Sequence, residues 1–373
     1  MNFKIKKENL LKHLNYVIRG ISNKNIRPIL NCIKFELTDE GLYLESTDND
    51  IAIKTFLPSK DILEGYKNGK FVVYGRYIYE IIRKLPNEII SIEYLIDNKI
   101  NISTANSSFY LNCNNIDEFP NLEIEFLKKP IILDNKIFKN LVNQTSFATS
   151  TQESRPAITG INFKIEENIL ECTATDSYRL SKKQIILDTE VEEKINIIIP
   201  TKNLIELTKM MEDDTSKVEI HIFSNKIIFK LDNLVMLSRI INGTYPDVSK
   251  LIPQEFLIKI NLSANNFYDL LDRVSLFSTE EEKNTVKLET KENIIVVSSN
   301  IPEIGNVTEK LEITKNVETN IKIAFSSKYM MDAIKALNCE EIELCFNGEI
   351  KPIILKNVCD DKLIELIVPI KTY

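Results

Sequence analysis

A chain of 373 residues with 43% hydrophobic content is long enough to bury two or three cores, and no part of it has the composition of a disordered or fibrous protein. Its net charge of −7 gives it no overall pull on a polyanion, and six scattered cysteines with no CxxC and only two histidines argue against both a zinc site and a disulfide framework. Nine glycines without GxGxxG or GxxxxGK[ST] exclude the usual phosphate cradles. The cysteines are expected as reduced thiols in or near strands. MNFKIKKENLLKHL is charged from its fourth residue and no apolar run approaches the roughly 18 residues that span a bilayer, so neither signal peptide nor membrane helix is predicted and a cytosolic protein is expected.

In chain order, FKIKKENLLKHL (3–14) reads as a strand running into an amphipathic helix over 6–20. IKFELTDEGLYLESTD (33–48) alternates with period two on both sides of a TDEG turn. GYKNGK (65–70) comes nearest to a phosphate loop, but its glycines are one residue too close and Phe71 stands where Ser or Thr belongs, so it reads as a plain turn. VVYGRYIYEIIRKLP (72–86) is an apolar run, a polar break and a helix, SSFYLNC (107–113) an alternating strand, and DEFPNLEIEFLKKP (117–130) an exit segment around Pro120. The series then recurs. IILDNKIFKNLV (131–142) and IKINLSANNFYDLL (258–271) repeat the strand and helix; INFKIEENILECTATD (161–176) and VKLETKENIIVVSSN (286–300) repeat strand, turn, strand; IIPTKNLIELTKMM (198–211) and AFSSKYMMDAIKAL (324–337) repeat the second helix.

Arg76, Lys202 and Lys328 lie 126 residues apart, each followed seven residues on by Arg83, Lys209 or Lys335, and Pro120 and Pro246, in GTYPDVSKLIP, keep the same spacing. Coincident sets at one period make the chain three copies of one α+β unit of two helices each, with boundaries at 1–127, 128–254 and 255–373. The six helical segments together are net positive while the rest of this acidic chain is strongly negative. Positive charge gathered on one repeated element is the footprint expected for a polyanion partner, although Lys and Arg also favour solvated helix faces.

TATDSYRL (173–180) has the side chains of an active site, and the repeat serves as its control. Thr175 and Asp176 recur as Thr47 and Asp48, with SSN (298–300) at the third equivalent strand end, which points to a scaffold turn. Ser177, Tyr178, Arg179 and Leu180 have no counterpart, and no histidine or second carboxylate nearby in sequence would activate Ser177. The other unmatched feature is LIELIVPIKTY (363–373). Pro369 cannot donate to a ladder, so the last strand should end near Val368 and leave Ile370 to Tyr373 as an apolar surface tail, the kind of exposed group that marks a binding site.

The triplication, with PILNCIKFEL, ATDSYRL, NGTYPDVSKLIP and LIVPIKTY in order across the full length, resembles the bacterial β sliding clamps, the processivity subunits of replicative DNA polymerases. The resemblance implies a head-to-tail homodimeric ring with antiparallel sheets outside and twelve helices lining a hole for duplex DNA, without cofactor or catalysis. It implies that Lys6, Lys7, Lys12, Arg19, Arg76, Arg83, Lys136, Lys139, Lys202, Lys209, Lys328 and Lys335 are candidates to face DNA, joined by the loop residues Lys24, Arg27 and Gln152. It implies a pocket for short hydrophobic motifs of the polymerase catalytic subunit, clamp-loader subunits, other polymerases and repair proteins. The matching positions are Ile158, Thr175, Ser177, Tyr178, Arg179, Leu180, Pro246, Lys250, Leu251, Leu366, Val368, Pro369, Ile370 and Lys371. Ser177 replaces the commoner glycine, Tyr178 the commoner histidine and Lys250 an arginine. By the same match Phe109 and Leu111 would pack on Leu276 and Phe277 at the subunit joint, where edge strands pair. Two other readings stay open on the sequence: an enzyme with its site at Asp176, Ser177, Tyr178 and Arg179, and a protein-binding repeat scaffold indifferent to nucleic acid.

Overall fold

The computed structural model describes residues 1–21, 27–212, 216–315 and 319–371, so Lys24 and the terminal Thr372 and Tyr373 lie outside the described residues. Six α-helices occur among them: α1 (Lys7–Val17), α2 (Gly75–Lys84), α3 (Asn135–Ser146), α4 (Thr201–Thr208), α5 (Ala264–Ser275) and α6 (Ser327–Leu337). All fall in the six expected segments. Each helix buries a stripe at three- and four-residue spacing, as with Leu10, Leu14 and Val17 of α1 and Phe267, Leu270, Leu271 and Val274 of α5. Lys7 Nζ donates to the carbonyls of Arg83 and Leu85, placing a cation at the negative end of α2. The copies also repeat their ties: Ser46 Oγ donates to Val17 O at 2.5 Å and Ser299 Oγ to Val274 O at 2.7 Å.

The chain forms two compact units, Met1–Phe138 with Glu206–Ile240, and Lys139–Ile205 with Ile241–Tyr373. In the first, thirteen strands among the described residues make one sheet, and strand Leu234–Arg239 pairs antiparallel with Ile51–Pro58, from Leu234 opposite Thr55 to Ser238 opposite Ile51. In the second the described residues form sheets of seven and four strands, and Arg179–Pro200 pairs with Asp360–Ile367, setting Arg179 opposite Ile367, Leu180 opposite Leu366 and Ser181 opposite Glu365. Backbone ladders thus cross both sequence positions at which one repeat was expected to give way to the next.

Two local expectations change. The strand, turn, strand of the second copy is one strand, Gly160–Thr175, bent at Glu167 (φ 56°); Gly160–Ile165 pairs with Ile195–Pro200 and Ile169–Thr175 with Leu180–Ile186. GYKNGK is no simple turn: strands Ile62–Lys67 and Gly69–Tyr74 meet at Asn68, with Gly69 close against Met1. The last strand stops at Ile367, next to the expected end at Val368.

Candidate functional site

At Thr175–Arg179 the turn is built by its own side chains. Thr175 Oγ1 donates to Arg179 O at 2.6 Å and accepts from Ser177 N at 3.1 Å, while Asp176 Oδ1 accepts from Tyr178 N and Arg179 N at 2.9 and 3.0 Å. Thr47 and Asp48 make the same four bonds around Asn49, at 2.8, 3.0, 3.0 and 2.9 Å. Ser177 has φ 80° and Asn49 φ 76°, so this position demands left-handed backbone, at a cost of about 1 kcal/mol for serine that a glycine escapes. Ser177 Oγ accepts from Arg155 Nη1 at 2.9 Å, and a guanidinium is no base for a nucleophile.

The unmatched side chains diverge from there. Arg179 is largely buried: Nε meets Asp176 at 3.1 Å, Nη1 meets Asp332 at 2.6 Å, and the guanidinium lies 4.4 Å from the Tyr329 ring centroid and 5.1 Å from that of Phe147. It therefore braces the turn more than it lines a surface. Tyr178 is 51% exposed, with Lys283 Nζ 5.2 Å from its ring centroid. Leu180 and Leu366 are buried side by side with Cys345 and Ile354, and Val248, Ile252, Phe256 and Ile364 pack on them half-exposed. Thr175 is buried; Ile158 is buried with Ile198 and Tyr245, beside exposed Pro246. Lys250 and Leu251 are exposed on the short turn of helix Ser249–Leu251.

The C-terminal segment is tied down where the sequence suggested a free tail. Val368 N donates to Tyr178 O at 2.9 Å and Ile370 N to Ala324 O at 2.7 Å. Val368, Pro369, Ile370 and Lys371 line a cleft of about 480 Å³ with Ile323, Ala324 and Ile350 as its other apolar walls and Lys287, Lys322 and Glu349 as its charges. The structure brings Tyr178, Leu180, Leu366 and Val368 together. Tyr329, Phe147, Asp332, Lys283 and Phe256 escaped sequence reasoning, because their partners are 32 to 153 residues away; Tyr329 alone had a signal, as an aromatic one residue after the repeated Lys328.

The cationic candidates differ in commitment. Lys6, Arg27, Arg76 and Lys136 are exposed, as are Gln152 and Lys202, and Lys139 is half-buried. Lys12 pairs with Glu212 at 2.7 Å, Arg83 with Glu80 at 2.7 Å and Lys328 with Glu280 at 3.8 Å, and Lys335 sits 4.9 Å from the Tyr268 ring centroid. Arg19 and Lys209 share Glu206, each at 2.6 Å. Burial opposes ionisation of Glu206, but these two bonds outweigh it and hold its carboxyl below the usual range. Lys7 spends its ammonium on the end of α2.

Among the described residues, each unit has an open strand side next to exposed apolar groups. Ser108–Asn114 pairs with Lys99–Ser103 on one side but on the other only through Cys113 and Asn114, leaving the backbone of 108–112 unpaired on that side beside Phe109 (38% exposed) and Tyr110 (61%). Tyr74 and Tyr77, ring centroids 6.5 Å apart, continue the aromatic surface past that pairing; Leu111 is half-buried. In the second unit, Gly305–Glu312 pairs, among the described residues, only with Ile294–Ile301, and Leu276 and Ile304 beside it are 76% and 73% exposed. A Cβ on Gly305 would sit 3.4 Å from the Phe277 ring. The strand's mixed sequence, GNVTEKLE, with only Val307 and Leu311 as large apolar residues, hid this edge from sequence reading.

Residues 1–123, 132–247 and 249–371 match, in order, the families described as the N-terminal, central and C-terminal domains of the DNA polymerase III beta subunit. A beta sliding clamp of Staphylococcus aureus is 38% identical with both chains fully covered. The crystal structure of a DNA polymerase sliding clamp from Bacillus subtilis gives a TM-score of 0.94 at 36% identity, and that of a DNA polymerase III beta chain from Streptococcus pneumoniae 0.95 at 31%, each covering all of both chains.

Proposed function

The chain belongs to the DNA polymerase III beta subunit family, and from that premise we propose that two copies close into a ring around duplex DNA. The ring slides, and it tethers the polymerase, the clamp loader and repair proteins through the pocket at Tyr178, Leu180, Leu366 and Val368. It performs no chemistry of its own. The observation that carries this reading is the threefold pair of helices bearing exposed Lys and Arg on a chain that is acidic elsewhere.

Holding DNA by topology requires only weak, sequence-independent attraction to phosphates, since strong or base-specific contacts would pin the ring. The ion pairs at Lys12, Arg83 and Lys328 suit this, because exposed pairs are worth about 0–1 kcal/mol and a phosphate oxygen can replace the carboxylate at little cost. Three repeats bounded at 1–127, 128–254 and 255–373 supply two helices each. A protein that works on the bacterial chromosome belongs in the cytoplasm. The open edge at 108–112 meets the edge at Gly305–Glu312 of a second copy, with Phe109 and Leu111 against Leu276 and Phe277.

Small-angle X-ray scattering with absolute mass tests the assembly. A dimer mass with a hollow distance distribution is expected for the native chain, and monomers for Leu276→Ala combined with Phe277→Ala. A native monomer at tens of micromolar would remove the ring, and a double variant still dimeric at low concentration would remove this interface.

A further inference from the structure

Glu365 is 1% exposed, one residue before Leu366 and directly opposite Ser181. Ser181 Oγ lies 2.7 Å from Gln144 O and 2.8 Å from Glu365 Oε1. A serine hydroxyl has one proton to donate. Gln144 O can only accept, and it sits in the last turn of α3, where carbonyls lack helical donors; the N–H of Ala148 goes to Thr145 O at 3.1 Å. Ser181 therefore donates to Gln144 O, and its contact with Glu365 needs a proton on the carboxyl.

The surrounding charges agree. Arg179, on the strand beside it, is the cation that acts on Glu365, and it is already held by Asp176 of the turn and Asp332 of α6. Gln144 on α3 and Leu355, opposite on strand Ile353–Asn357, bring no charge. An ionised Glu365 would be the third carboxylate around one guanidinium, at the negative end of a helix. Burial pushes its carboxyl well above the usual range, against the pull of Arg179.

We propose that Glu365 stands as the neutral carboxylic acid and is a positioning residue for the pocket, its proton bridging α3 and two strands so that the cross-strand pair Leu180 and Leu366 is held in place. Gln144 extends the tie, its Nε2 donating to Ala336 O in the last turn of α6 at 3.0 Å. The pocket role rests on the function proposed above; the protonation does not.

Full-length protein and Glu365→Gln are compared by urea unfolding from pH 5 to 8. A carboxyl neutral when folded and ionised when unfolded makes the native state less stable as pH rises, so the ratio of unfolding constants, native chain over variant, should climb about tenfold per pH unit. A flat ratio overturns the proposal. Infrared spectra of the native chain carrying ¹³C-labelled glutamate make the test independent of the variant's folding: a protonated glutamate carboxyl band persisting at pH 7 supports it, and absence of that band overturns it. A short leucine-rich peptide should bind both proteins alike at pH 7 and lose affinity for the native chain alone at alkaline pH; parallel losses overturn the positioning role. If the peptide binds neither protein, the pocket reading falls while a tenfold slope still upholds the neutral acid.

Discussion

The turns at Thr47–Ile51 and Thr175–Arg179 have the same four hydrogen bonds and the same left-handed third residue, yet Asp50 and Ile51 stand where the second turn carries Tyr178 and Arg179. One backbone solution has been kept for stability in both places and loaded with different side chains in one. The difference separates what the fold needs from what a partner reads.

The strongest way to break that separation is Arg179→Ala. It strands Asp176 and Asp332 around a space the guanidinium filled, and should cost about 3–5 kcal/mol of stability and at least about a hundredfold in affinity for a hydrophobic peptide, read by calorimetry. Ile51→Ala, at the matching position, should cost about 2–4 kcal/mol and leave peptide binding alone.

The contrast extends to the helices. Where the second and third copies bury Leu141 and Leu270, the first buries His13, whose Nδ1 lies 2.6 Å from Thr55 Oγ1. Thr55 gives its own proton to Asn233 O, so His13 donates through Nδ1. Burial first, then Lys12, lowers its pKa to about 4. A depressed value means stability fully present above the ordinary value near 6.5 and lost as pH falls toward about 4, amounting to about 2–3 kcal/mol. Hydrogen exchange should show the loss in α1 and not in α3 or α5, and His13→Leu should abolish it.

Thr47→Val and Thr175→Val sharpen the comparison further: each should cost about 1–2 kcal/mol in denaturant unfolding, and the second alone should weaken the peptide. The smallest effect belongs to Tyr178→Ala. Half exposed, it should change stability by less than about 0.5 kcal/mol and affinity about fivefold.

Much of this was legible because repetition amplifies weak signals. Six helices, the Thr-Asp turn and the singular C-terminus all emerge from aligning the chain with itself. Pairing between Ile51–Pro58 and Leu234–Arg239 leaves no local trace, since a strand's alternation says nothing about which distant strand will neighbour it. The fate of individual cations was hidden for the same reason: Lys7 reads like Lys6, yet only a folded chain can present it with the carbonyls of residues 83 and 85.

The ladders that cross from one repeat to the next also govern how a load is shared. The seams at Leu234–Arg239 and Arg179–Lys183 are stitched by rows of backbone hydrogen bonds as well as joined by covalent chain. A joint between two separate chains has stitching alone. When such an assembly is pried apart, that joint is the one that gives way first.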